Sequence, residues 1–164
     1  MSKSFKQDGD FVIFESRAIR RYITTKYADY GTLGLIPPQA DLQTWARFEE
    51  AAASIEQNNF DPFASGLASE KVFKPMRGGI TDEMRVKELN EILHEKLEAY
   101  ERILSKRKYL AGDDITLADL FHLPYGTMVA EQLGIDALTS KPNVARWWTD
   151  ISSRPSWMSV KSGA

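Results

Sequence analysis

The apolar residues of this chain change their spacing once, early, and then keep the new spacing to the end. Phe11-Val12-Ile13-Phe14 is a short β-rich run behind the turn signal Asp8-Gly9-Asp10. From Ser16 the period becomes helical, with Ile19, Tyr22 and Ile23 on one face. Gly31, Gly34 and the pair Pro37-Pro38 then break the chain, and beyond Asp41 every periodic segment reads as helix. Leu42, Trp45, Phe48, Ala52 and Ile55 form one stripe. Val86, Leu89, Leu93, Leu97, Tyr100 and Leu104 form a longer one between Thr81 and Lys106, with Glu and Lys on the opposite face. Pro62 predicts a kink or restart, Pro75 and Gly78-Gly79 a stop, and the last helix runs from about Pro142 to Ile151 before Arg154-Pro155. Such a pattern packs helix on helix, while a four-residue strand cannot stand alone and needs a sheet to join. The expected fold is mainly α, a five- or six-helix bundle preceded by a strand–helix segment.

Composition narrows the function. With 43% hydrophobic residues in 164, the chain has material for a real core. Its 21 basic residues against 23 acidic ones leave a net charge of -2, which argues against nucleic acid as the main partner. There is no Cys, so disulfides, thiolate nucleophiles and Cys-ligated metals are excluded. No apolar run approaches the roughly 20 residues of a membrane helix, and the segment Met1 to Asp10 has no apolar stretch of the secretory kind. A cytoplasmic protein with no membrane partner is expected.

Few residues gather into chemistry. His94 and His122 share no metal-ligand spacing, so both read as structural and no metal is expected. The glycine-rich phosphate loops and the nucleophile elbow of hydrolases are absent from the sequence. Thr116-Leu117-Ala118-Asp119 reads as a capping box with Asp in the usual Glu place, flanked by Ile115 and Leu120 as a hydrophobic staple. Pro124 is expected to bend the helix that follows. Glu15-Ser16 lies where strand turns to helix. Ser16 can cap that helix, its free N–H groups suit a carboxylate, and Glu15 beside it can take an ammonium. The pair would suit the two charged ends of an amino acid; a plain helix cap is the other reading.

The run Phe14-Glu15-Ser16-Arg17-Ala18-Ile19 with Tyr22-Ile23 resembles the last strand and third helix of the glutathione-binding domain of glutathione transferases. Asn59-Phe60-Asp61-Pro62, Val72-Phe73-Lys74-Pro75-Met76, Leu110-Ala111-Gly112-Asp113 through Leu120, and His122-Leu123-Pro124 are similar to the phi class of that family. So is Pro142-Asn143-Val144-Ala145-Arg146-Trp147-Trp148 through Ser152-Ser153-Arg154-Pro155. The resemblance covers about Asp8 to Val160. It implies an all-α C-terminal domain over residues 39–164, a linker over 31–38, and a remnant of the thioredoxin-like glutathione-binding domain over 1–30. It further implies that Glu15 and Ser16 bind the γ-glutamyl end of glutathione and that Arg17 lies near a dimer two-fold. Phe60 and Phe63 would wall the pocket for the apolar co-substrate, with core packing as the equal alternative. Thr116 and Asp119 match a folding signature of the family.

The activity so implied is conjugation of the glutathione sulfur to hydrophobic electrophiles, a detoxification reaction. Glutathione is the co-substrate, no further cofactor is needed, and a hydroxyl donor stabilises the thiolate. In the family that donor sits on a strand–helix–strand unit of about 30 residues or more, which Met1 to Gln7 does not match. Ser2 and Ser4 do not fit the catalytic position, which precedes a helix, and no Val-Pro stands before Glu15. No catalytic residue is therefore assigned, and the expectation is an N-terminally truncated family member, weakly active or inactive. The alternative is a non-catalytic helical ligand carrier or protein-interaction module; an incomplete gene product is a third reading.

Overall fold

A four-residue strand needs a partner, and the chain supplies one locally. In a computed structural model that describes residues 5–163, β1 (Phe5–Asp8) and β2 (Phe11–Phe14) form an antiparallel hairpin with Lys6 opposite Ile13 and Asp8 opposite Phe11. Gly9 sits at φ +60° in the first central position of the two-residue turn, the place where a II′ hairpin requires a left-handed residue. The sequence predicted one strand at this point. The turn at Asp8-Gly9-Asp10 folds the preceding residues back as the second. Ser2 and Ser4 lie outside the described residues.

Helix α1 (Ser16–Lys26) leans on the hairpin. The Tyr22 ring lies 5.2 Å from that of Phe11, the Tyr22 hydroxyl donates to Asp8 Oδ2 at 2.6 Å, and Lys26 pairs with the same carboxylate. These contacts, Lys26 first and Tyr22 next, hold the Asp8 carboxyl below its usual range. The loop that follows is pinned to the bundle by the Leu117 N–H, which donates to the Leu35 carbonyl at 2.8 Å.

The second helix, α2, spans residues 42–59. It begins as α-helix (Leu42–Glu49), with the Asp41 carboxylate accepting from the Thr44 N–H and hydroxyl at 3.2 and 2.6 Å. It widens to π-helix over Glu50–Glu56 and returns to α over Gln57–Asn59. Phe48, Ala51 and Ala52 are buried, whereas Leu42, at the outer end of the predicted stripe, is 75% exposed. At Phe60 the backbone leaves the helical region, and α3 (residues 61–76) restarts with Pro62 in its first turn. This is the restart that Pro62 predicts. A π segment, Ser69–Phe73, lies within α3 as well.

Helix α4 (Glu83–Leu104) is the axis of the molecule. Its cap is Asp82, which accepts the Arg85 N–H at 3.0 Å, and all six residues of the predicted stripe are buried. It packs between α3 and α7. Two short pieces follow, α5 (Leu117–Leu120) and α6 (residues 123–132). Pro124 was expected to bend one continuous helix. Instead it stands in the first turn of a new one, because it has no N–H to give back to Leu120 and the ladder breaks there. Helix α7 (Pro142–Ser152) has its first N–H groups satisfied from across the bundle: Glu101 Oε2 accepts from Asn143 and Val144 at 3.0 and 3.1 Å. A last turn, α8 (Pro155–Met158), leads to the C-terminus.

Candidate functional site

The junction between β2 and α1 holds the one non-glycine residue in a left-handed backbone conformation among the described residues, Glu15 at φ 72°, ψ 121°. Such a conformation costs about 1–3 kcal/mol and persists where surrounding structure enforces it. It turns the chain abruptly from strand into helix. Ser16 was expected to cap α1; it is the first helical residue, and Glu15 holds the cap position. No side chain caps this end among the described residues, and both Glu15 and Ser16 are exposed. The first N–H groups of an 11-residue helix therefore meet solvent beside one hydroxyl and one carboxylate. Chemically this is an anion nest with an acceptor for a cation alongside.

What fixes the junction lies one residue further on. Arg17 makes a two-pronged bridge to Glu56 on α2, Nε to Oε2 and Nη2 to Oε1, both at 2.8 Å. Its Nη2 also reaches Asp61 Oδ1 at 3.0 Å. Glu56 is 1% exposed, so a carboxylate is buried and its counter-charge comes from a residue 39 positions away. The Glu56 hydrogen bond holds the Arg17 guanidinium charged well beyond its ordinary range. One turn later Arg21 bonds Glu49 at 2.8 Å and lies 5.0 Å over the Phe48 ring. Arginines four apart on α1 thus meet glutamates seven apart on α2, and α1 is latched to the bundle by charge rather than by buried apolar area. The sequence reading missed Glu49, Glu56 and Asp61, although the matched spacings were there to find.

Phe60 and Phe63 part company. Phe60, 1% exposed, is a core side chain with its ring 4.6 Å from that of His122. This is the core-packing alternative. Phe63 is half-buried against the edge of the core. His122 is fully buried and sits with Trp147 at 4.9 Å and Tyr100 at 5.6 Å. Its Nδ1 faces the Ala118 carbonyl at 2.9 Å, and its Nε2 faces the Tyr100 hydroxyl at 2.9 Å. Burial pushes His122 down to about 4 and the Tyr100 phenol up.

Thr116 and Asp119 form their capping box. Asp119 Oδ2 accepts the Thr116 N–H and hydroxyl at 2.9 and 3.1 Å. Its Oδ1 accepts the Leu110 N–H at 3.0 Å and Trp147 Nε1 at 2.9 Å. The box therefore also ties α5 to α7. Among the described residues no cluster of three or more His, Cys, Asp or Glu is placed to hold a metal ion, and no helix is long and apolar enough to cross a membrane.

Comparison with known proteins agrees with this architecture. Residues 64–155 match the family Glutathione S-transferase, C-terminal domain. Glutathione S-transferase PM239X14 of Arabidopsis thaliana is 54% identical over 136 residues, covering 83% of this chain and 61% of that protein. The crystal structure of glutathione transferase F7 from Populus trichocarpa superposes with a TM-score of 0.88 at 34% identity, covering 96% of this chain and 72% of that one. Maize glutathione S-transferase I, solved in complex with an atrazine glutathione conjugate, superposes with a TM-score of 0.77 at 32% identity, over 96% and 71% of the two chains. The chain thus spans roughly two thirds of the length of these relatives. On the family match, the identities and the shared fold together, the chain belongs to the glutathione S-transferase family, in its phi class.

Proposed function

We propose that Glu15 and Ser16 bind the γ-glutamyl end of glutathione, its carboxylate at the open start of α1 and its ammonium at the Glu15 carboxylate. The observation that carries this is the left-handed backbone of Glu15 at an uncapped helix N-terminus. Strained backbone of this kind clusters at binding and active sites. That the maize relative was solved with a glutathione conjugate supports the ligand class. The family reaction, conjugation of glutathione to hydrophobic electrophiles, is weak or absent in these 164 residues acting alone, because Ser16, the hydroxyl at the junction, is committed to the γ-glutamyl end and is not available to stabilise the thiolate. Half-buried Phe63 contributes to the apolar co-substrate wall. The glutathione-binding part is residues 1–30 and the all-α domain residues 39–164, working in the cytoplasm as a homodimer near whose two-fold Arg17 lies. Turnover of 1-chloro-2,4-dinitrobenzene with glutathione tests the catalytic half, and rates in the ordinary range of the family would overturn it. Glutathione titration followed by NMR tests the binding half: Glu15→Gln and Ser16→Ala should each weaken binding, and unchanged binding in both would overturn it.

A second reading, a non-catalytic carrier or interaction module, draws on Phe11 and Val12, which remain about half exposed on a two-stranded sheet. Solution mass that stays monomeric at every concentration, with no glutathione binding, would favour a monomeric module of this kind over the enzyme.

A further inference from the structure

The glutamate that receives Arg17 does not stand on regular α-helix. Glu56 closes the π segment of α2, Glu50–Glu56, and π turns within α-helices gather at functional sites. Where this segment closes, two successive carbonyls receive side-chain donors. Asn59 Nδ2 donates to the Ser54 carbonyl at 3.1 Å, and the Tyr100 hydroxyl donates to the Ile55 carbonyl at 3.1 Å. Asn59 is local. Tyr100 comes from α4, 45 positions further along the chain, and is 1% exposed. The same hydroxyl lies 2.9 Å from His122 Nε2. His122 Nδ1 faces the Ala118 and Asp119 carbonyls at 2.9 and 3.3 Å, so it carries the ring proton and Nε2 is left as an acceptor. Tyr100 thus serves two acceptors with one proton. Burial, with the charges of Glu56 and Asp119 nearby, pushes its phenol up, so the hydroxyl stays a donor at neutral pH.

Glu56 is the residue after Ile55, and the peptide between them is planar and rigid. Whatever holds the Ile55 carbonyl therefore also sets where Glu56 begins. The Glu56 carboxylate takes Arg17 with both bonds at 2.8 Å, and Arg17 directly follows Ser16. We propose that Tyr100 is a positioning residue for the Glu15–Ser16 junction: its hydroxyl fixes the end of the α2 π segment, and with it the place where Glu56 takes up Arg17. For ligand affinity this rests on the glutathione reading of that junction; for the pairing of Arg17 it does not.

Tyr100→Phe in the full 164-residue chain tests it, since the change keeps the ring and removes the hydroxyl. Tyr109→Phe is the control, for it loses a hydroxyl that bonds Asp150 on α7 and not α2. In proton–nitrogen NMR the Arg17 Nε–H should be protected from solvent exchange in the parent and in Tyr109→Phe, and should exchange about tenfold faster in Tyr100→Phe. Glutathione, titrated by calorimetry into chains whose circular dichroism is intact, should bind Tyr100→Phe about fivefold more weakly, the worth of one net hydrogen bond. Tyr109→Phe should bind it as the parent does. In a Glu56→Gln background Tyr100→Phe should cost no further affinity, because its effect runs through Glu56; should that background fail to fold, the Arg17 resonance carries the test. An Arg17 resonance unmoved by Tyr100→Phe, equal changes in both tyrosine variants, or a further loss in the Glu56→Gln background would each overturn the assignment. A parent chain that takes up no glutathione would overturn the γ-glutamyl reading of the junction, and the Arg17 resonance would then decide the role of Tyr100.

Discussion

Replacing Arg17 by Met should unbalance the molecule more than any other single change on α1. The reason is Glu56. Its carboxylate is almost wholly buried, and the Arg17 guanidinium, with both bonds at 2.8 Å, supplies its counter-charge. Removing one partner of a buried pair leaves an uncompensated charge and typically costs about 3–5 kcal/mol. Asp61, 3.0 Å from the same guanidinium but partly exposed, adds little, as solvent screens it. Against a total stability of about 5–15 kcal/mol for a domain of this kind, Arg17→Met removes about a fifth at the least. Replacing both members, Arg17→Met with Glu56→Met, removes the charge together with its partner and should recover most of the loss, since buried pairs exchange for apolar residues at little net cost. Urea unfolding followed by tryptophan fluorescence and far-ultraviolet circular dichroism gives the four corners of the cycle. An Arg17→Met loss below about 1 kcal/mol, or a double variant no more stable than Arg17→Met, would refute the view that this pair latches α1 to the bundle.

Other expectations follow from single contacts. His122 is buried neutral, pushed from 6.5 to about 4, so the unfolded chain takes up its proton first as pH falls. The stability that the neutral ring contributes is complete above pH 6.5 and drains as pH drops toward 4, by about 3 kcal/mol in all. Ring-nitrogen NMR should show a neutral His122 at pH 5.5, and a charged one there would contradict it. Gly126→Ala places a Cβ about 2.5 Å from the Trp148 ring and should cost about 1–3 kcal/mol by overpacking, read as a lowered melting temperature. Asp119→Ala strands the Leu110, Thr116 and Trp147 N–H donors and should cost well over the ~1 kcal/mol of a lost cap; Thr116→Ala should cost about that smaller amount. Denaturant midpoints separate the two.

Much of this fold could be read from local patterns. The α4 stripe is buried at all six positions because three- and four-residue spacing puts them on one face of one long helix. The Thr116–Asp119 box was legible because both halves lie within four residues. What failed to show was non-local. Glu56 sits among acids at helical spacing, a pattern that usually marks a solvated face, and only its partner 39 residues earlier explains its burial. The π segments within α2, α3 and α6 were not read from the spacing of apolar residues, which does not separate a π turn from an α turn over five to seven residues. Phe60 could wall a pocket or fill the core, and the choice depended on where His122 came to rest. Glu15 is the reverse case: the sequence marked the junction as special, but the left-handed backbone that makes it so needs three dimensions to see.

Under the proposal above, Glu15 holds its left-handed backbone for a ligand. Calorimetric titration of glutathione into the 164-residue chain, beside its Glu15→Gly variant, tests it most directly. Glycine accepts the left-handed conformation at no steric cost, so the variant should fold with equal or slightly greater stability, within about 1 kcal/mol, while losing the carboxylate. The parent chain should bind with a Kd on the order of 0.1–1 mM, and Glu15→Gly should lose at least tenfold. A parent chain with intact helices and no heat of binding, or a variant that binds glutathione as well as the parent, would contradict it.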